Sequence, residues 1–102
     1  MLELRPNCEL CNRDLPPDSI EARICSYECT FCAECVTDVL QDVCPNCGGG
    51  FQPRPIRPAQ AWRRGTGLVS DPPGERRRHS PYSRGEIDAF VETVRGVAAA
   101  ER

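Results

Sequence analysis

Eight cysteines carry the chemistry of this sequence. They stand at positions 8, 11, 25, 29, 32, 35, 44 and 47, a spacing of C-x2-C-x13-C-x3-C-x2-C-x2-C-x8-C-x2-C. Cys8/Cys11, Cys32/Cys35 and Cys44/Cys47 are three C-x2-C knuckles, tight turns that aim two sulfurs at one ion, and Cys25/Cys29 is a fourth, looser pair. Eight thiolates make two tetrahedral four-sulfur sites with none left over, a donor set that selects zinc or iron–sulfur. Disulfides suit a secreted mini-protein, but Met1–Cys8 holds no basic-then-apolar leader, so a cytoplasmic chain with reduced thiols is expected.

An iron–sulfur electron carrier is the alternative. Cys29-x2-Cys32-x2-Cys35 repeats the first three ligands of a bacterial ferredoxin run and Cys44-Pro45 its ending, but eight residues separate Cys35 from Cys44 where that run has three. Two Zn2+ ions are therefore the expected cofactors. The spacing leaves two ways to share the ligands: sequentially, or interleaved with pairs one and three on one ion and pairs two and four on the other. A catalytic zinc keeps a position open for water, and two all-cysteine sites leave none. The single histidine, His79, lies outside the cysteine-rich half beside three arginines. No enzyme activity is expected.

The elements that must position these sulfurs are short. Glu21–Ser26 and Thr30–Phe31 read as a hairpin around Cys25 and Cys29. Val36, Val39, Leu40 and Val43 fall at i, i+3, i+4 and i+7, one face of a helix that Pro45 would stop. That stripe reads first as core, because so short a helix must pack to exist. The fold class expected is a small metal-bound domain over residues 1–50.

The rest of the 102 residues differ in composition. Residues 1–50 hold 3 Arg against 9 acids, a net −6, and residues 51–102 hold 10 Arg against 6 acids, a net +4; there is no Lys. With eight thiolates and two Zn2+ the head reaches −10, which repels phosphates, so nucleic acid could associate only through the tail. Residues 51–82 are Arg-, Pro- and Gly-rich and read as a disordered linker. Trp62, Arg63 and Arg64, with Arg76, Arg77 and Arg78, form its candidate nucleic-acid contacts. Residues 83–102 read as an amphipathic helix: Ser83 and Glu86 make a capping box, and Ile87, Phe90, Val91 and Val94 follow at helical spacing. That stripe needs a partner, either the head, a second copy or another protein. No stretch approaches the ~20 apolar residues of a membrane span.

The order of the cysteines, with Phe31 before Cys32 and the closing Cys44-Pro45-Asn46-Cys47, resembles an all-cysteine RING finger in which Cys29 stands where the usual His does. Met1–Pro17 and Ala22–Gly50 look more closely like a short bacterial family, domain-of-unknown-function family 1272, over about residues 1–59. The resemblance implies a cross-brace: Cys8, Cys11, Cys32 and Cys35 on one zinc, and Cys25, Cys29, Cys44 and Cys47 on the other. It also points to Leu10, Leu40 and Pro45 as a partner-docking surface. Ubiquitin-ligase activity is not expected, since the helix region lacks a Trp and Gly48 stands where a basic residue is common. The expected role is a non-catalytic interaction or regulatory module whose partner is another protein.

Overall fold

Ile24 before Cys25, and Thr30 and Phe31 after Cys29, are β-branched or aromatic, with a tight turn between the two cysteines. In the computed structural model, which describes all 102 residues, they form strands β1 (Ala22–Ile24) and β2 (Thr30–Cys32), antiparallel with Arg23 opposite Phe31. Cys25 N–H donates to Cys29 O and Glu28 N–H to Cys25 O, with Glu28 held in the left-handed region at φ 68°. A third strand, β3 (Gln52–Pro53), adds to the free edge of β1, giving the order β2-β1-β3. Pro53 is tolerated there because β3 is an edge and needs no second ladder. Phe31, fully buried, meets Phe51 edge-on at 5.5 Å between ring centroids.

After β2 the chain turns into α1 (Ala33–Cys35), capped by Cys32, and widens into a π-helical turn over Val36–Leu40. The turn ends at Gln41 and Asp42, both left-handed (φ 49° and 62°), rather than running on to Pro45. Asp42 compensates locally, its carboxylate accepting the Phe51 N–H at 2.9 Å. Val36, Leu40 and Val43 are buried, so the apolar stripe is core.

Helix α2 (Arg84–Val94) starts at the Ser83–Glu86 capping box, with both reciprocal hydrogen bonds formed. It stops at Val94, short of the single helix expected over 83–102; Gly96 follows, and a 3-10 turn occupies Ala99–Glu101. Ile87 and Val91 are buried in the same core as Leu40, Val43 and Cys44. The helix therefore docks on its own head.

The disordered linker expected over 51–82 is corrected. Arg54, Arg57 and Arg77 are anchored in main-chain carbonyls of the head. Arg57 donates to Leu2 O at 2.7 Å and Asp71 O at 2.8 Å, Gly74 N–H to Leu4 O at 3.0 Å, and Ser80 N–H to Glu9 O at 2.8 Å. Arg77 grips Asn12 and Asp14, and Asn7 bonds both the N–H and the C=O of Arg78. Composition forbids a second apolar core here, but guanidinium-to-carbonyl bonds need none. The segment is a strap over the head.

Arg54 is the deepest of these anchors. It is only 4% exposed and faces no carboxylate. Its fork donates to Arg5 O at 2.9 Å, Leu15 O at 3.1 Å and Pro16 O at 2.8 Å, joining three segments. Arg54→Met keeps the stem but removes the donor of the buried Leu15 carbonyl and of the part-buried Arg5 carbonyl, while Pro16 O keeps the Ser19 N–H, an expected cost of roughly 1–3 kcal/mol. A lower thermal midpoint of the metal-loaded chain checks it, and Arg54→Lys should restore only part, since an ammonium cannot span the fork. An unchanged midpoint in Arg54→Met would mean that the strap is held by its other anchors. No helix is long and apolar enough to cross a membrane.

Candidate metal centre

The Cys8/Cys11 and Cys44/Cys47 knuckles are built by the same local device. Asn12 N–H donates to Cys8 O at 2.9 Å and Gly48 N–H to Cys44 O at 2.7 Å, closing the turn around two sulfurs. Both closing residues are left-handed, Asn12 at φ 65° and Gly48 at φ 81°. Asn tolerates this conformation and Gly has no penalty in it. Backbone N–H groups also point at the sulfurs: Cys35 N–H to Cys32 at 3.5 Å, Tyr27 N–H to Cys25 at 3.4 Å and Gly49 N–H to Cys47 at 3.4 Å. Such donors favour thiolates.

The β1–β2 hairpin and α1 bring distant pairs together. The sulfurs of Cys8, Cys11, Cys32 and Cys35 all lie within 4.8 Å of one another, and so do those of Cys25, Cys44 and Cys47. The first group joins the first and third pairs, so its ligands are interleaved rather than sequential. Cys29 is not among the sulfurs mutually within 4.8 Å, but its thiol is near enough to those of Cys25 and Cys44 to shift both. All eight cysteines are free, and the Cys11–Cys32 sulfur separation of 3.8 Å is far beyond the ~2.05 Å of a disulfide.

Thiols packed this closely cannot all ionise alone. Hydrogen bonds from Cys29 and Cys44 draw the Cys25 thiol down to about 4, while the contacts with Cys25 and Cys29 push Cys44 strongly up. Burial pushes Cys35 up. A divalent cation between the sulfurs removes this conflict by neutralising several thiolates at once. The donor set therefore fits a metal ion in each group.

Residues 1–57 match the model of a family described as a protein of unknown function, DUF1272. The chain belongs to this family. An uncharacterized protein of Rhizobium meliloti (strain 1021) is 64% identical over 59 residues, covering 58% of this chain and 70% of the relative. No solved structure matches. The family's matched region contains every cysteine and ends just past Arg54, while most of the strap and all of α2 lie beyond it.

The other residues singled out from the sequence fall in different places. Leu40 and Pro45 are buried and Leu10 is half-buried, so they do not form an open docking surface. Ile87 and Val91 cover them from within the chain, Val94 packs at the edge, and Phe90 is left 38% exposed. The partner surface expected at these positions is thus largely occupied in cis. What remains is a shallow pocket of about 250 Å³ between Pro45, Asn46, Tyr82, Glu86, Ile87 and Phe90.

The two basic clusters also part company. Arg77 is bound to Asn12 and Asp14, and Arg78 pairs with Glu3 at 3.4 Å, so neither is free for a phosphate; Arg76 alone of that trio is unpaired. Trp62, Arg63 and Arg64 are exposed on a loop.

Sequence reasoning missed Glu9. Buried inside the first knuckle, its carboxylate accepts from Thr30 N–H at 2.6 Å, Arg5 at 3.0 Å and Asn46 at 3.4 Å. It ties the first knuckle to β2 and to the Cys44–Cys47 loop. An acid between two ligand cysteines looks solvated in the sequence, and no periodicity marks it as core.

Proposed function

We propose that this chain is a non-catalytic interaction module whose fold is held by two structural zinc ions in a RING-like cross-brace. Cys8, Cys11, Cys32 and Cys35 would hold one ion and Cys25, Cys29, Cys44 and Cys47 the other. The observation that carries the reading is the sulfur spacing. Zn–S bonds of about 2.3 Å in a tetrahedron set sulfurs about 3.8 Å apart, and Cys11 and Cys32 stand 3.8 Å apart. Sulfurs that converge on one point suit a single ion, whereas a multi-iron cluster spreads its thiolates over separate irons. Cys29, whose thiol shifts those of Cys25 and Cys44, is the fourth ligand this reading requires.

Two filled four-sulfur shells leave no position for substrate or water, which argues against catalysis at the metals. When bound, the ions supply folding energy and no reaction step. The residues around them orient the ligands: Asn12 and Gly48 close the turns, and Glu9 with Arg5 fixes the first knuckle against β2.

Metal analysis and an absorption spectrum on aerobically and anaerobically purified chain test the proposal. Two zinc per chain with no visible band is the expected result. Iron with sulfide and a brown colour would overturn it in favour of a redox protein.

A further inference from the structure

Ile56–Asp71 leave the head as a closed loop. Leu68 N–H donates to Pro58 O at 3.0 Å and Asp71 N–H to Gly67 O at 2.9 Å, while Arg57 pins the base of the loop to Asp71 O and Leu2 O. A turn sets the tip, with Thr66 bonded to Arg63 O at 2.6 Å. Gly67 makes the closure possible. It is left-handed (φ 91°), and a Cβ there would sit 2.9 Å from Gln60 O. Every residue from Pro58 to Thr66 is exposed.

This tip is built unlike the rest of the strap. Arg54, Arg57, Arg77 and Arg78 are all spent on oxygens of the head. Arg63 and Arg64 carry no side-chain hydrogen bond or ion pair. Beside them Trp62, the only tryptophan, is 79% exposed, and the two legs of the loop add Ile56 and Val69, at 52% and 91%. An exposed indole next to two unpaired guanidiniums, held on a closed loop, has the residue types that dominate protein–protein binding energy.

We infer that the Trp62-Arg63-Arg64 tip is the docking element of the proposed interaction module, and that its occupant is an acidic segment of another protein carrying an apolar side chain for Trp62. Charge complementarity selects the acid, and the three apolar side chains select the apolar partner. A nucleic acid is the poorer fit. Nucleic-acid affinity grows with the number of phosphates neutralised, and the tip offers only two free guanidiniums, at Arg63 and Arg64. The tip lies just beyond residues 1–57, the stretch that matches the family.

The test uses the full metal-loaded chain. A random-peptide display library is selected in parallel on the wild type and on a Trp62→Ala/Arg63→Glu/Arg64→Glu variant. Peptides with several Asp or Glu around an apolar residue should be recovered on the wild type only. Their binding should blue-shift Trp62 emission, and Arg63→Glu/Arg64→Glu should weaken it by about tenfold or more. Recovery of no such peptides, or of the same peptides on both chains, overturns the inference. So does a tighter Trp62 response to oligo-dT or to phosphatidylglycerol vesicles. Metal content is read on the same samples. Two zinc per chain with a silent tip defeats this inference alone, whereas absence of zinc defeats the reading of the head beneath it.

Discussion

Removing the metals from the full chain under reducing conditions is expected to unfold the head, with loss of far-ultraviolet circular dichroism and recovery on adding Zn2+. The core explains the size of the effect. Of its fifteen buried members, six are cysteines: Cys8, Cys25, Cys29, Cys32, Cys35 and Cys44. In an ordinary domain those positions would be aliphatic and would stabilise the fold by burial alone. Here they are groups whose sulfurs crowd to 3.8 Å and compete for protons. Structural zinc contributes about 10–16 kcal/mol per site in small domains, as much as or more than the net stability of a typical domain, about 5–15 kcal/mol. A single-ligand version sharpens the test. Cys32→Ser, at a fully buried position, should lose the first ion and most of the fold, and Cys11→Ser, at an exposed sulfur, should cost less. A metal-free chain with unchanged dichroism would sink the structural role of the metals.

The second large effect is expected at α2. Ile87 is 1% exposed and packs with Leu40 and Val43, so Ile87→Ala should cost about 2–5 kcal/mol through lost burial and the cavity left behind. Asp88, exposed and paired only with Arg84, is the matched control, with an expected change under about 0.5 kcal/mol. Thermal midpoints at saturating metal measure both. If Ile87→Ala melts with the wild type, the helix does not seal the head in solution and its apolar face is free for another molecule.

How far the sequence foretold these features depends on the range of the interactions involved. A C-x2-C knuckle is a local object, so the three tight pairs are legible as written, and so is the hairpin around Cys25 and Cys29. Which pairs share an ion is set by the hairpin's three-dimensional course; spacing alone left two schemes open. The Ser83–Glu86 capping box marks where α2 begins because its partners are three residues apart. Its end at Val94 was hidden, since alanines continue the pattern past Gly96. The strap escapes composition for a physical reason: composition reports how much apolar surface a segment can bury, and this one is fixed by polar bonds between distant residues, guanidinium to carbonyl as in Arg77 to Asn12 O, and side-chain amide to main chain as in the Asn7–Arg78 clasp, 71 residues apart in sequence. Strand β3 was invisible because two residues, one of them proline, carry no alternation.

The strap and the docked α2 together make covalent continuity at the loop tip dispensable. A protease that cuts after arginine finds Arg63 and Arg64 open while Arg54, Arg57 and Arg77 are occupied. A chain nicked there would stay whole, its two pieces clasped through Gly74, Arg77, Arg78, Ser80, Ile87 and Val91. Insertions or deletions at the exposed tip should likewise leave the cysteine clusters undisturbed. The fold thus separates the cysteine clusters from a loop whose unbroken backbone they do not need.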